Sequence, residues 1–120
     1  MGDYNDNPND ERVSLLTQKR NYRPHYEPLF NPMRKLFQNG IGSLAHRDRW
    51  HLFDQILLSQ NWKSKKGAVF IKSAVFNPPF LRNPEGKFRG YPYRTNVSGN
   101  TLNGYSDNFP VYVLIGKKGN

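Results

Sequence analysis

The apolar positions of this chain fall first into a helical register and later into a strand register. Val13 and Leu16, with Leu15 beside them, mark one face of a short amphipathic helix. Asn7-Pro8 followed by Asn9-Asp10-Glu11 supplies a capping amide, a first-turn proline and acids at the positive end of the helix dipole. Together they predict a helix from Asn7 to near Gln18, and the polar, proline-bearing stretch Lys19 to Pro28 reads as a loop. Asn31-Pro32 starts a second helix, with Met33, Leu36 and Phe37 toward the core and Gly40 just past its end. From Ser43 onward the texture is that of strands. Ser43 to Arg49 and Phe53 to Leu58, separated by Trp50-His51, predict an antiparallel pair. Lys63-Ser64-Lys65-Lys66-Gly67 reads as a basic turn, and Ala68 to Phe76 as a strand stopped by Asn77-Pro78-Pro79. The last strand runs from Phe109 to Ile115, before a fraying tail from Gly116 to Asn120. Residues 82–104 carry little periodicity, and a loop of that length in a compact domain is usually functional or mobile.

The sum is one α+β unit of about four strands, two short helices and a large loop. Ten Gly and nine Pro favour turns over a helical bundle. A hydrophobic content of 36% is lean for a core, offset by eight Phe, seven Tyr and two Trp. At 120 residues the chain has the size of one small domain, able to bury about 65–70% of its unfolded surface. The absence of cysteine excludes disulfides, thiolate zinc sites and thiol catalysis, and leaves the compartment open. No apolar run approaches the roughly 18 residues of a membrane-spanning helix, and the polar N-terminal stretch lacks a signal-peptide pattern. Eighteen Lys and Arg against nine Asp and Glu give a formal charge of +9. That suits either a basic solvated surface or attraction to polyanions such as nucleic acid and phosphorylated substrates.

Three acidic corners carry the candidate chemistry. In Gly2-Asp3-Tyr4-Asn5, alternate side chains at a strand end point to one side, placing an acid beside an amide, although Asp3, Asn5, Asp6 and Asn7 are also ordinary turn formers. Asp54 stands before the apolar Gln55-Ile56-Leu57-Leu58, where an unpaired buried carboxylate costs several kcal/mol, so it needs a partner or solvent. Ser106-Asp107-Asn108 precedes the last strand and equally suits a turn. Lys63, Lys65, Lys66, Arg82, Lys87, Arg89 and Arg94 interleave with Phe88, Tyr91 and Tyr93, a mixture that fits backbone phosphates and stacked bases, or a solvated loop whose aromatics cover a sheet. His46 and His51 would need a nearby carboxylate to hold a metal, against the commoner local hydrogen bond. Asn96-Val97-Ser98 matches a glycosylation acceptor, and no Gly-rich phosphate loop or serine elbow occurs.

Taken in order, Gly2-Asp3-Tyr4-Asn5, Phe53-Asp54-Gln55-Ile56-Leu57-Leu58-Ser59 and Ser106-Asp107-Asn108-Phe109-Pro110-Val111 resemble the three motifs of the endonuclease/exonuclease/phosphatase family, the DNase I-like metal-dependent phosphoesterases. Asn31-Pro32-Met33 and Tyr91-Pro92-Tyr93-Arg94-Thr95 are similar to members found in certain bacteria. The resemblance covers residues 1–120 as the C-terminal half of a family domain. It implies half of a four-layer α/β sandwich, one mostly antiparallel sheet with two short helices. By resemblance Asp3 positions or deprotonates the attacking water, Asn5 contacts the scissile phosphate, Asp54 orients a catalytic histidine, and Asp107 lies at a site for Mg2+ or Mn2+. Arg89 and Arg94 fall on the substrate side. Two departures stand out. Asn108 occupies the histidine position, and an amide neither takes nor gives a proton, a loss worth about 10²–10⁴ in rate. The family's metal-binding Glu and a further phosphate-contacting Asn belong to an N-terminal half, so Asp3 is expected at a frayed end and one sheet face is expected bare, inviting that half or a second copy. The expected function is therefore a truncated or degenerate phosphoesterase, weak or inactive alone; the alternative is a non-catalytic basic module for nucleic acid or another phosphorylated ligand.

Overall fold

In the computed structural model, which describes residues 1–19, 25–64, 66–94, 96–97, 99–101 and 104–118, the first helix begins later than its pattern predicts. Helix α1 spans Glu11–Ser14 and tightens into a 3-10 turn over Leu15–Thr17. Asn7 is not its cap, because its side chain is used elsewhere: Oδ1 accepts the Leu52 N–H at 2.8 Å and Nδ2 lies 3.1 Å from His51 Nδ1. The Asp10 carboxylate instead accepts the Asn7 N–H at 2.7 Å, closing a turn before the helix. Helix α2, Met33–Gln38, follows its pattern. Asn31 Oδ1 accepts the Met33 N–H at 3.0 Å, Met33 is fully buried, and Gly40 ends the helix at φ 80°, where a side chain is disfavoured.

Strand β1 (Gly2–Asp3) pairs antiparallel with β4 (Asp54–Gln55), so Asp3 is held in a ladder rather than at a frayed end. Strands β2 (Leu44–His46) and β3 (Arg49–His51) form a tight hairpin. Its turn is Arg47-Asp48, not the Trp50-His51 break that the apolar pattern suggests. Both turn residues take positive φ, 50° and 59°, the backbone of a type I′ turn that normally selects Asn-Gly. Left-handed backbone costs an ordinary L-residue about 1–2 kcal/mol, less for Asp than for Arg. The turn is hard to see in the sequence because Arg47 does not favour it and Asp48 has no glycine beside it.

Strand β5 (Gly67–Val75) runs against β8 (Val111–Lys118), with a register shift between Phe70 and Lys72. This last strand continues through Gly116 and Lys117, past the expected Ile115. Strands β6 (Asn96–Val97) and β7 (Asn100–Thr101) form a small ladder inside the long loop. Antiparallel pairing and two short helices make an α+β fold, with the pairing spread over four two-stranded ladders among the described residues. Residues 82–93 are an organised excursion: the Asn83 N–H donates to Tyr91 O at 2.8 Å, the Gly90 N–H donates to Asn83 O at 2.9 Å, and the Tyr93 N–H donates to Leu81 O at 2.8 Å. Residues 20–24 of the predicted 19–28 loop, Lys65, Thr95, Ser98 of the acceptor pattern and the last two residues of the tail lie outside the described residues.

Among the described residues the apolar core is thin: Val13, Met33, Ala45, Leu52, Leu58 and Phe109. Beside it runs a buried polar chain. Asn31 Nδ2 donates to Gln55 Oε1 at 2.8 Å, and Gln55 Nε2 donates to Asp6 O at 2.6 Å. Arg12 grips the Asp6 carboxylate through two nitrogens, at 2.7 and 3.0 Å. These bonds fasten the turn carrying Asp3 and Asn5 to β4 and α1.

Candidate functional site

Register places Asp3 directly opposite Asp54, so their side chains share one face of the β1–β4 ladder. The Asp3 carboxylate accepts the Asn5 N–H at 2.9 Å, and Asn5 sits at φ 52°, a conformation asparagine tolerates. Asp54 is half-buried and satisfied as its setting requires. Its Oδ2 accepts the Ser43 hydroxyl at 2.5 Å and Asn108 Nδ2 at 2.8 Å.

Ser43 fixes this corner, and no motif marked it. It is fully buried, its N–H donates to His51 O at 2.8 Å, and its carbonyl accepts the Phe109 N–H at 2.6 Å. Three segments thus meet on one residue. Phe109 is 1% exposed and lies 6.1 Å from Trp50 in a near-parallel stack, so the residue after Asn108 is anchored in the core. Gly104 settles the other end of that segment. A Cβ there would come within 1.9 Å of Tyr93 O and 2.3 Å of Arg94 O, so only glycine fits. The Asn108 N–H donates to Ser106 Oγ at 3.1 Å, completing the expected turn.

Asp3, Asn5, Asp54 and Asn108 are therefore brought to one corner, while Asp107 is exposed beside it. Two open depressions, about 280 and about 380 Å³, meet at Asp54. One is walled by Tyr105, Asn108 and Pro110, the other by Gly2, Asp3 and Val111. The corner's carboxylates are acceptors only, so a phosphoryl oxygen would have to be met by amide hydrogens such as the second one on Asn108 Nδ2. The corner does not amount to a metal site: among the described residues no three acidic or imidazole side chains cluster as ligands, whereas a hard divalent ion takes about six oxygens.

Arg89 and Arg94 lie elsewhere. Arg94 donates to Ala45 O at 3.1 Å and lines a separate cavity, and Arg89 is exposed on the tip of the 82–93 excursion. His51 Nδ1 lies 3.1 Å from Asn7 Nδ2, a partner distant in sequence, and His46 is exposed in β2.

Neither the curated proteins nor the solved structures give a significant match to this sequence. The family model described as "Endonuclease/Exonuclease/phosphatase family" matches residues 1–117, the span that brings all three motifs to the Asp54 corner. On that match the chain belongs to the endonuclease/exonuclease/phosphatase family.

Proposed function

We propose that residues 1–120 form the C-terminal half of a divalent-metal-dependent phosphoesterase, degenerate at its acid–base residue. Support comes above all from the bond between Asp54 Oδ2 and Asn108 Nδ2, in which an amide fills the place an imidazole takes in the family. In this reading Asp3 and Asn5 face the phosphate and attacking water, Asp107 contributes to an Mg2+ or Mn2+ site completed from outside these residues, and Asp54 holds whatever stands at 108. The complementary half or a second copy supplies the missing ligands. The test is hydrolysis of bis-p-nitrophenyl phosphate with Mg2+ or Mn2+, with and without chelator, for the wild type and Asn108→His. Feeble, chelator-sensitive wild-type activity that rises about 10²-fold or more in the variant is expected from restored general acid–base help. Robust activity insensitive to chelator sinks the proposal.

A second reading is a basic binding module for phosphorylated polymers. The +9 charge supports it, as does the placement of Lys63, Lys66, Lys87 and Arg89 on the exposed surface with no ion pair among the described residues. Affinity for an oligonucleotide should then fall steeply between 50 and 200 mM salt, by about 10³-fold if six phosphates are contacted. Salt-independent binding contradicts it.

A further inference from the structure

A third depression, of about 210 Å³, lies between the tip of the β2–β3 hairpin and the 82–93 excursion, and shares no lining residue with the two at Asp54. It is smaller than the roughly 300–1,000 Å³ pockets that take drug-sized ligands, so it suits a single ring system. Phe88 and Tyr91 form an aromatic wall, with ring centroids 5.9 Å apart, and Trp50 backs Tyr91 edge-on at 5.4 Å. Arg47, Lys87 and Arg94 stand around it, none in an ion pair among the described residues. The one carboxylate at the rim, Asp48, accepts the Tyr91 hydroxyl at 3.1 Å, and this bond ties hairpin to excursion. Arg47 reaches the rim from left-handed backbone at φ 50°, an unfavourable choice for a turn that Asn-Gly would make without strain. Strain of that kind, kept where a charged side chain meets a cavity, points to a ligand.

We infer that this pocket grips one nucleoside phosphate unit, its base against Phe88 and Tyr91 and its phosphate on Arg47 and Lys87. Stacking on an aromatic face tolerates any base, while the cations follow the backbone. A base that enters must leave its duplex stack, so the pocket selects single strands. The inference rests on the second reading above, and it needs no turnover at Asp54.

Anisotropy of a labelled ten-residue dT strand, measured with chelator present so that metal-bridged contacts make no contribution, tests it. The strand should bind at least tenfold tighter than a duplex of equal length, and unlabelled 5′-AMP should compete where ribose 5-phosphate and adenosine do so weakly. A longer strand binding no better than AMP assigns the pocket to a free nucleotide, and a gain with length assigns it to a polymer. Phe88→Ala, at an exposed ring, should weaken binding about tenfold, the scale of one lost base stack. Arg47→Asn should weaken it similarly and lower the salt slope by about 0.7, the share of one phosphate contact, with an unchanged or higher melting temperature that shows the fold intact. Salt-dependent strand binding that ignores both substitutions, or that favours duplex equally, overturns the pocket while leaving the basic-module reading standing. No strand binding at low salt overturns both.

Discussion

Asp54 makes its chemistry legible one atom at a time. Ser43 and Asn108 both donate to the same Oδ2, so removing either leaves a half-buried carboxylate short of one donor. Ser43→Ala should cost about 1–3 kcal/mol in urea denaturation. The Ser43→Ala/Asn108→Ala pair should fall outside simple addition by at least about 0.5 kcal/mol, because the two share an acceptor. Strict additivity would show that the two bonds act independently. Tyr91 offers a pH-dependent counterpart. Partial burial, then its bond to Asp48 and that carboxylate's charge, raise its pKa above the ordinary tyrosine value of about 10. A raised pKa means the folded state keeps the proton longer than the unfolded chain. The resulting stabilisation is present below about pH 10 and lost as pH climbs through the folded value. Asp48→Asn should lower the Tyr91 midpoint, read from its ring carbon shifts by NMR; an unmoved midpoint would discount the bond.

At the scale of elements, the segment from Gly104 to Phe109 behaves as a strap pinned at both ends. Gly104→Ala forces a Cβ into the Tyr93 and Arg94 carbonyls, so the strap must lift. Overpacking of this kind costs about 1–3 kcal/mol, and the Asn108 amide resonances should lose the signature of the Asp54 bond. If those resonances stay put, the strap is not what positions Asn108. Helix α2 and strand β5 were legible because capping, spacing and flanking prolines agreed with one another, as at Asn31-Pro32 and Asn77-Pro78-Pro79. The hairpin was misplaced because Arg47 is a poor turn residue and Asp48 alone is a weak turn signal without a glycine beside it, and α1 was overdrawn because Asn7 spends its amide on Leu52 and His51, some 44 to 45 positions away. Motif order singles out Asp3, Asn5, Asp54 and Asn108, which the fold brings to one corner, and gives no sign of Ser43 or Gln55. Their importance lies in long-range bonds, and a serine or glutamine gives no local sign of those.

Seen whole, the chain is spread out. Its radius of gyration is 16.9 Å, against about 13–14 Å for a typical domain of this length, and it extends 51 × 37 × 22 Å. The β5–β8 ribbon leaves Ile71, Leu114 and Ile115 between 44% and 54% exposed, apolar surface that a second copy could cover. Concentration-dependent association should appear in sedimentation velocity and fall in Ile115→Lys; a monomer at all concentrations would remove the self-association variant. The thin apolar core among the described residues has a thermal consequence too. Unfolding uncovers little hydrocarbon, so the heat-capacity increment should lie below the roughly 12–15 cal/mol/K per residue of ordinary domains. A small increment flattens the dependence of stability on temperature, so this molecule should lose little stability on cooling.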